Sequence, residues 1–79
     1  MIKLYVLRSI ENRRRYVGIT DNLARRLTEH RRSSSTVGRQ LGPFTLIHTE
    51  EYADYVRARV RERFLKTGKG REWLEQQFG

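Results

Sequence analysis

The sequence predicts a small α/β domain of the α+β kind, a three-stranded antiparallel sheet flanked by helices in the order β-β-α-β-α-α. Three observations carry the prediction. Two runs rich in β-branched and aromatic residues flank a polar turn, the pattern of a hairpin. Two later segments repeat apolar residues at helical spacing. The chain has 79 residues and 37% hydrophobic content, which is material for one core only. The expectation is a single domain over 1–79, with no internal repeat.

Ile2–Arg8 reads as the first strand, Glu11-Asn12-Arg13 as the turn and Arg15–Ile19 as the returning strand. Thr20 or Asp21 is expected to N-cap the next helix, because a short side-chain oxygen accepts one of the free N–H groups of a first turn. That helix runs from about Asn22 to Arg31, with Leu23 and Leu27 on its buried stripe. Arg32–Arg39 has no periodicity and reads as a mobile basic loop. Phe44–His48, after Gly42-Pro43, makes a third strand. Glu50 or Glu51 opens the longest helix, reaching about Lys66, on which Tyr52, Val56, Val60 and Phe64 form an apolar stripe. Gly68 suits the left-handed position past a helix end. Gly70–Phe78 then forms a short last helix that returns Trp73, Leu74 and Phe78 to the core.

Composition narrows the function. With no cysteine there is no disulfide framework and no thiolate zinc site, and two histidines make a structural zinc improbable. The opening apolar run is interrupted by Lys3 and Arg8, so it is neither a secretory segment nor a membrane span, and a cytoplasmic setting is expected. The chain carries 17 Lys+Arg against 9 Asp+Glu, a net charge of +8. Most of the excess lies in residues 1–40, and the cations are mainly arginine, whose planar fork suits bidentate contact with phosphate. Nucleic acid is therefore the expected partner, ahead of a membrane surface. Charge that serves only solubility is the bland alternative.

Few residues are placed to carry chemistry. Tyr5 and Tyr16 stand on the two hairpin strands, where antiparallel pairing can place them near each other, on the same face if the register permits. Packing alone is the plainer reading of both. Arg26 and His30 are four apart on the first helix and flank its leucine stripe. Glu62 sits among Arg57, Arg59, Arg61 and Arg63 on the long helix, where an ordinary surface salt bridge is the plainer reading. The dense acidic group Glu50, Glu51 and Asp54 is what a helix start attracts. Thr67-Gly68-Lys69-Gly70 lacks the Walker spacing and reads as helix termination.

Taken in order, these residues resemble the GIY-YIG nuclease family, and specifically its small single-domain bacterial members, similar to the N-terminal domain of excision-repair nucleases. Lys3-Leu4-Tyr5 and Tyr16-Val17-Gly18 match the two name-giving tripeptides, with lysine where the first has glycine. Thr20–His30 looks like the motif helix, with Arg26 rather than Arg25 at the catalytic arginine. Arg61–Leu74 looks like the family's ending, with Glu62 at the metal-binding glutamate. The resemblance spans essentially the whole chain.

The resemblance implies a metal-dependent endonuclease that hydrolyses phosphodiester bonds in DNA, with RNA as another substrate to consider. It implies that Tyr5, Tyr16, Arg26, His30 and Glu62 form the catalytic set. Glu62 would hold Mg²⁺, or Mn²⁺ in its place, since such a hard cation needs only one or two carboxylates. Arg26 would stabilise charge on the phosphate. Tyr16 or Tyr5 would activate the water, with Tyr16 favoured, and His30 would hold phosphate or relay a proton. Arg14, Arg15, Arg25, Arg31, Arg32 and Arg39 are the expected nucleic-acid contacts, with the Ser33–Ser35 run among them. A protein partner or homodimer would have to supply any targeting the small surface lacks. The alternative functions are a non-catalytic nucleic-acid-binding module on the same fold and a protein-interaction domain.

Overall fold

The computed structural model describes residues 1–32 and 35–79. Strands β1 (Ile2–Ser9), β2 (Arg15–Thr20) and β3 (Phe44–Tyr52) form one antiparallel sheet in the order β2-β1-β3. The helices are α1 (Leu23–Arg31), α2 (Thr36–Leu41), α3 (Tyr55–Leu65) and α4 (Gly68–Phe78). The expected α+β architecture is present, with α2 as a short addition.

Central β1 is buried on both faces, which explains its nearly unbroken apolar run. Leu4 and Val6 point to one layer with Val17, Leu65 and Leu74, against which Trp73 and Phe78 also pack. Tyr5 and Leu7 point to the other layer with Leu41, Leu23, Leu27 and Val37. Helices α3 and α4 thus cover one face, and α1 and α2 the other.

Several local expectations are corrected. Asn22, rather than Thr20 or Asp21, caps α1, its side chain accepting from Arg25 N at 3.0 Å. Thr20 is instead buried, and its hydroxyl accepts from Asn22 N at 3.1 Å. The segment expected as a basic loop contains the first part of α2, whose N-cap Ser35 accepts from Gly38 N at 2.9 Å. The other serines expected to contact DNA, Ser33 and Ser34, lie outside the described residues. Strand β3 continues through Glu50 and Glu51 to Tyr52, so those acids belong to the sheet and Asp54 caps α3.

That later start changes which face of α3 is buried. Ala58, Glu62 and Leu65 are buried, whereas Val56 and Val60 are 75% and 67% exposed. The expected stripe fails because Tyr52 is held in the strand, so the first helical turn is phased from Asp54. Gly68 does not end α3 either. Thr67 caps α4 at once, its hydroxyl accepting from Gly70 N at 3.2 Å. A Cβ on Gly70 would lie 2.0 Å from Phe64 O, so only glycine lets the two helices meet this closely.

The α3 side of the sheet holds a polar network centred on Glu50. Its carboxylate pairs with His48 Nε2 at 2.7 Å and accepts from the Tyr52 hydroxyl and from Arg61 Nε at 3.1 Å. Arg61 lies 4.8 Å above the Trp73 ring, which ties the network to α4. Burial opposes ionisation of Glu50, but hydrogen bonds from His48, Tyr52 and Arg61, with the Arg61 charge, hold its carboxyl below the ordinary range. Its stabilising contribution is therefore complete above the unfolded value and is lost as pH falls through the lower folded one. Glu50→Gln should reduce unfolding free energy by about 2 kcal/mol at neutral pH, measured by urea denaturation. The gap from wild type should narrow in acid. A gap that stays constant down to pH 3 would contradict the assignment.

Candidate active site

On the α1 side, the register pairs Tyr5 with Gly18 and Leu7 with Tyr16, which puts both tyrosines on one face. Their ring centroids are 6.0 Å apart. A Cβ on Gly18 would lie 2.5 Å from the Tyr5 hydroxyl and 2.9 Å from the Tyr16 ring. Gly18 therefore provides the space that Tyr5 fills.

From α1, His30 Nε2 hydrogen-bonds the Tyr5 hydroxyl at 2.8 Å, and the His30 ring stands edge-on to Tyr16 at 5.3 Å. His30 is buried, as is Tyr5 at 1% exposure. Desolvation, then Tyr16, raises the Tyr5 pKa strongly; the positive charge of Arg26 opposes this and the negative charge of Glu62 adds to it. Tyr5 is accordingly a neutral phenol. Desolvation and the Arg26 charge lower the His30 pKa from its ordinary value, so His30 is neutral at pH 7. Tyr16 is only partly buried and is the tyrosine of the pair that solvent can reach.

Arg26 lies one turn before His30 on the same helix face. Its Nε is buried and, among the described residues, is the one buried side-chain polar atom without a hydrogen-bond partner. Glu29 Oε1 stands 3.5 Å away, close enough for attraction but not aligned to accept. Neighbouring Arg25 instead pairs with Asp21 at 3.2 Å, both side chains more than half exposed. The first helix thus turns one arginine to the tyrosines and the other to solvent.

Glu62 comes from α3, in the opposite layer, and is 8% exposed. Lys66 Nζ donates to its Oε2 at 3.1 Å, and Arg59 lies 3.5 Å from its Oε1. The expected surroundings of Arg57, Arg61 and Arg63 do not reach it; Arg61 is committed to Glu50. Both paired cations are over half exposed and can swing away. Among the described residues no group of three His, Cys, Asp or Glu forms a metal cage. A cation at Glu62 would therefore be held by one carboxylate and keep most of its water, a donor set that fits Mg²⁺.

The expected nucleic-acid contacts fall into two groups. Arg14 and Arg15 are on the hairpin, whereas Arg25, Arg31, Arg32 and Arg39 belong to the α1–α2 layer. Arg31 lies 5.4 Å over the Phe44 ring. Sequence reasoning missed Lys66 as the partner of Glu62, although four-residue spacing on a helix is its signal. It also missed Gly18 as the residue that seats Tyr5; only the strand register shows that.

No curated protein and no solved structure gives a match to the chain. The family model for the GIY-YIG catalytic domain matches residues 1–76. Among the described residues no helix is long and apolar enough to cross a membrane. A match that begins before β1 and ends within α4 takes in every element of the fold, and the chain belongs to the GIY-YIG catalytic domain family, a family of endonucleases.

Proposed function

We propose that this protein is a divalent-metal-dependent endonuclease that hydrolyses phosphodiester bonds in DNA. Family membership supports a nuclease-type function acting on nucleic acid. The observation that carries the finer reading is Arg26 Nε, a buried cationic donor with no hydrogen bond and only Glu29 at 3.5 Å, on the helix face that holds His30 against two tyrosines. A phosphate oxygen would satisfy that donor and gain a charge-assisted bond.

In this mechanism Arg26 binds the scissile phosphate and stabilises the charge that grows on it. Tyr16 is the base that takes a proton from the attacking water while the bond from phosphorus to the leaving sugar oxygen breaks. The leaving oxygen takes its proton from solvent. Tyr5 and neutral His30, hydrogen-bonded to each other, fix the Tyr16 ring by packing. A divalent cation on Glu62 would supply further charge neutralisation at the phosphate and leaving oxygens.

The test is nicking of plasmid and branched DNA with Mg²⁺ or Mn²⁺, with a chelator control against contaminating nuclease. Wild type should cut. Tyr16→Phe should lose at least about 100-fold in single-turnover rate and keep its melting temperature. Wild-type cleavage by Tyr16→Phe at saturating DNA would leave its hydroxyl with no part in the reaction. A wild type that cuts no nucleic acid with any divalent ion would favour a binding module.

A further inference from the structure

The turn of the β1–β2 hairpin and the α3–α4 junction enclose a groove of about 460 Å³. Its charged lining is entirely basic: Arg13, Arg14 and Arg15 from the hairpin, Lys66 after α3, and Arg71 from α4. Leu65 and Leu74 contribute from the core, and Tyr16 also lines the groove, which makes it continuous with the proposed base. Lys66 reaches Glu62 at 3.1 Å, which joins the groove to the proposed metal-holding carboxylate as well.

Five cations on one concave surface repel one another, and only two are neutralised. Arg15 pairs with Glu75 at 3.0 Å and Lys66 with Glu62. Arg13, Arg14 and Arg71 are exposed and have no ion-pair partner among the described residues. The backbone presenting two of them is pinned. Arg13 holds a left-handed φ of 61°, unusual for a residue with a Cβ. Asn12 Oδ1 accepts from Arg14 N at 2.9 Å, and the Ser9 hydroxyl accepts from Asn12 N at 3.1 Å. Concave walls of one sign focus the field and favour a polyanion.

We infer that this groove takes the backbone of a single unpaired strand next to the bond to be cut, so that the preferred substrate is DNA with a single-stranded tail or branch. This rests on the nuclease reading above. The volume is that of a small-ligand site, enough for a short stretch of one strand and too little for a duplex. Arg13, Arg14 and Arg71 bind successive phosphates there, while Arg26 binds the scissile one.

The test uses the full chain in chelator, where binding is read without cleavage, and compares a blunt duplex with the same duplex bearing a single-stranded tail. The tail should tighten wild-type binding about tenfold. Arg14→Ala/Arg71→Ala should lose that gain, and its dependence of log affinity on log salt should flatten by about 1.4 for two single-strand phosphates. Arg57→Ala/Arg63→Ala removes the same charge from the exposed outer side of α3 and should keep the tail preference. Melting temperatures check that both variants fold. Equal losses in the two variants, or a wild type that cuts duplex DNA without tail preference, overturns the groove and leaves the nuclease reading intact. Tailed DNA held through Arg14 and Arg71 but never cut with any divalent ion overturns the nuclease reading and leaves the groove.

Discussion

Arg26→Ala should reduce the single-turnover cleavage rate by about 1,000-fold, the scale of losing a positioned charge donor at a transition state. The same substitution should leave the fold as stable as wild type or more so. A buried donor left without a hydrogen bond costs about 1–3 kcal/mol, and Arg26 Nε is such a donor until phosphate arrives. A rise in melting temperature together with lost activity would distinguish a residue kept for chemistry from one kept for packing. Arg25→Ala gives the contrast, because its exposed pair with Asp21 contributes little and its loss should cost only a few-fold in DNA affinity. NMR titration supplies a readout independent of DNA. Since the Arg26 charge helps to depress the His30 pKa, Arg26→Ala should move that pKa upward. Equal, small rate losses in the two variants would remove Arg26 from the mechanism.

Glu62→Gln should be nearly as damaging. Its cleavage rate should fall by at least about 100-fold at every Mg²⁺ concentration, because an amide is a poorer ligand than a carboxylate for a hard dication. DNA binding should hold or tighten, since the substitution removes a negative charge and frees Lys66 and Arg59 to meet phosphate. If Glu62 served only as a salt-bridge partner, its replacement would lower stability, because its buried carboxylate holds Lys66 and Arg59, and would leave the rate alone. A second measurement needs no turnover. Mn²⁺ should broaden backbone amide signals around Glu62 in wild type and leave them sharp in Glu62→Gln. Broadening centred elsewhere, or a variant that cuts at the wild-type rate, would place the metal away from α3.

The hairpin and the closeness of its two tyrosines were legible because local pattern and tertiary demand coincide there. The runs around Tyr5 and Tyr16 are rich in β-branched and aromatic residues, the observed register places both tyrosines on one face, and β1 sits at the sheet centre where its apolar run requires. Arg26 and His30 were legible as a pair because four residues is close to one helical turn. The return of Leu74, Trp73 and Phe78 to the core also follows from their apolar character.

The long helix shows where local reading stops. Tyr52, Val56, Val60 and Phe64 make a regular stripe, yet Val56 and Val60 face solvent while Glu62 is turned inward. Spacing specifies a stripe but not the phase at which a helix meets the sheet. That phase is set by tertiary contacts: Arg61 turns from α3 to Glu50, which His48 and Tyr52 of β3 also satisfy. Three of those four residues are polar, and none advertises its partner at short range.

The sequence by itself determined the α+β class, the hairpin, the pairing of residues along α1 and the excess of arginine over acid, because each depends on short-range periodicity or on composition. Tertiary structure alone decided the rest. It left Arg26 Nε without a hydrogen-bond partner, made Gly18 the space that Tyr5 fills, and assembled a groove from the hairpin and from Arg71 on α4. Those features join residues far apart in the chain, and their energies come from desolvation and distance between side chains, which become defined only when the two helical layers close on the sheet.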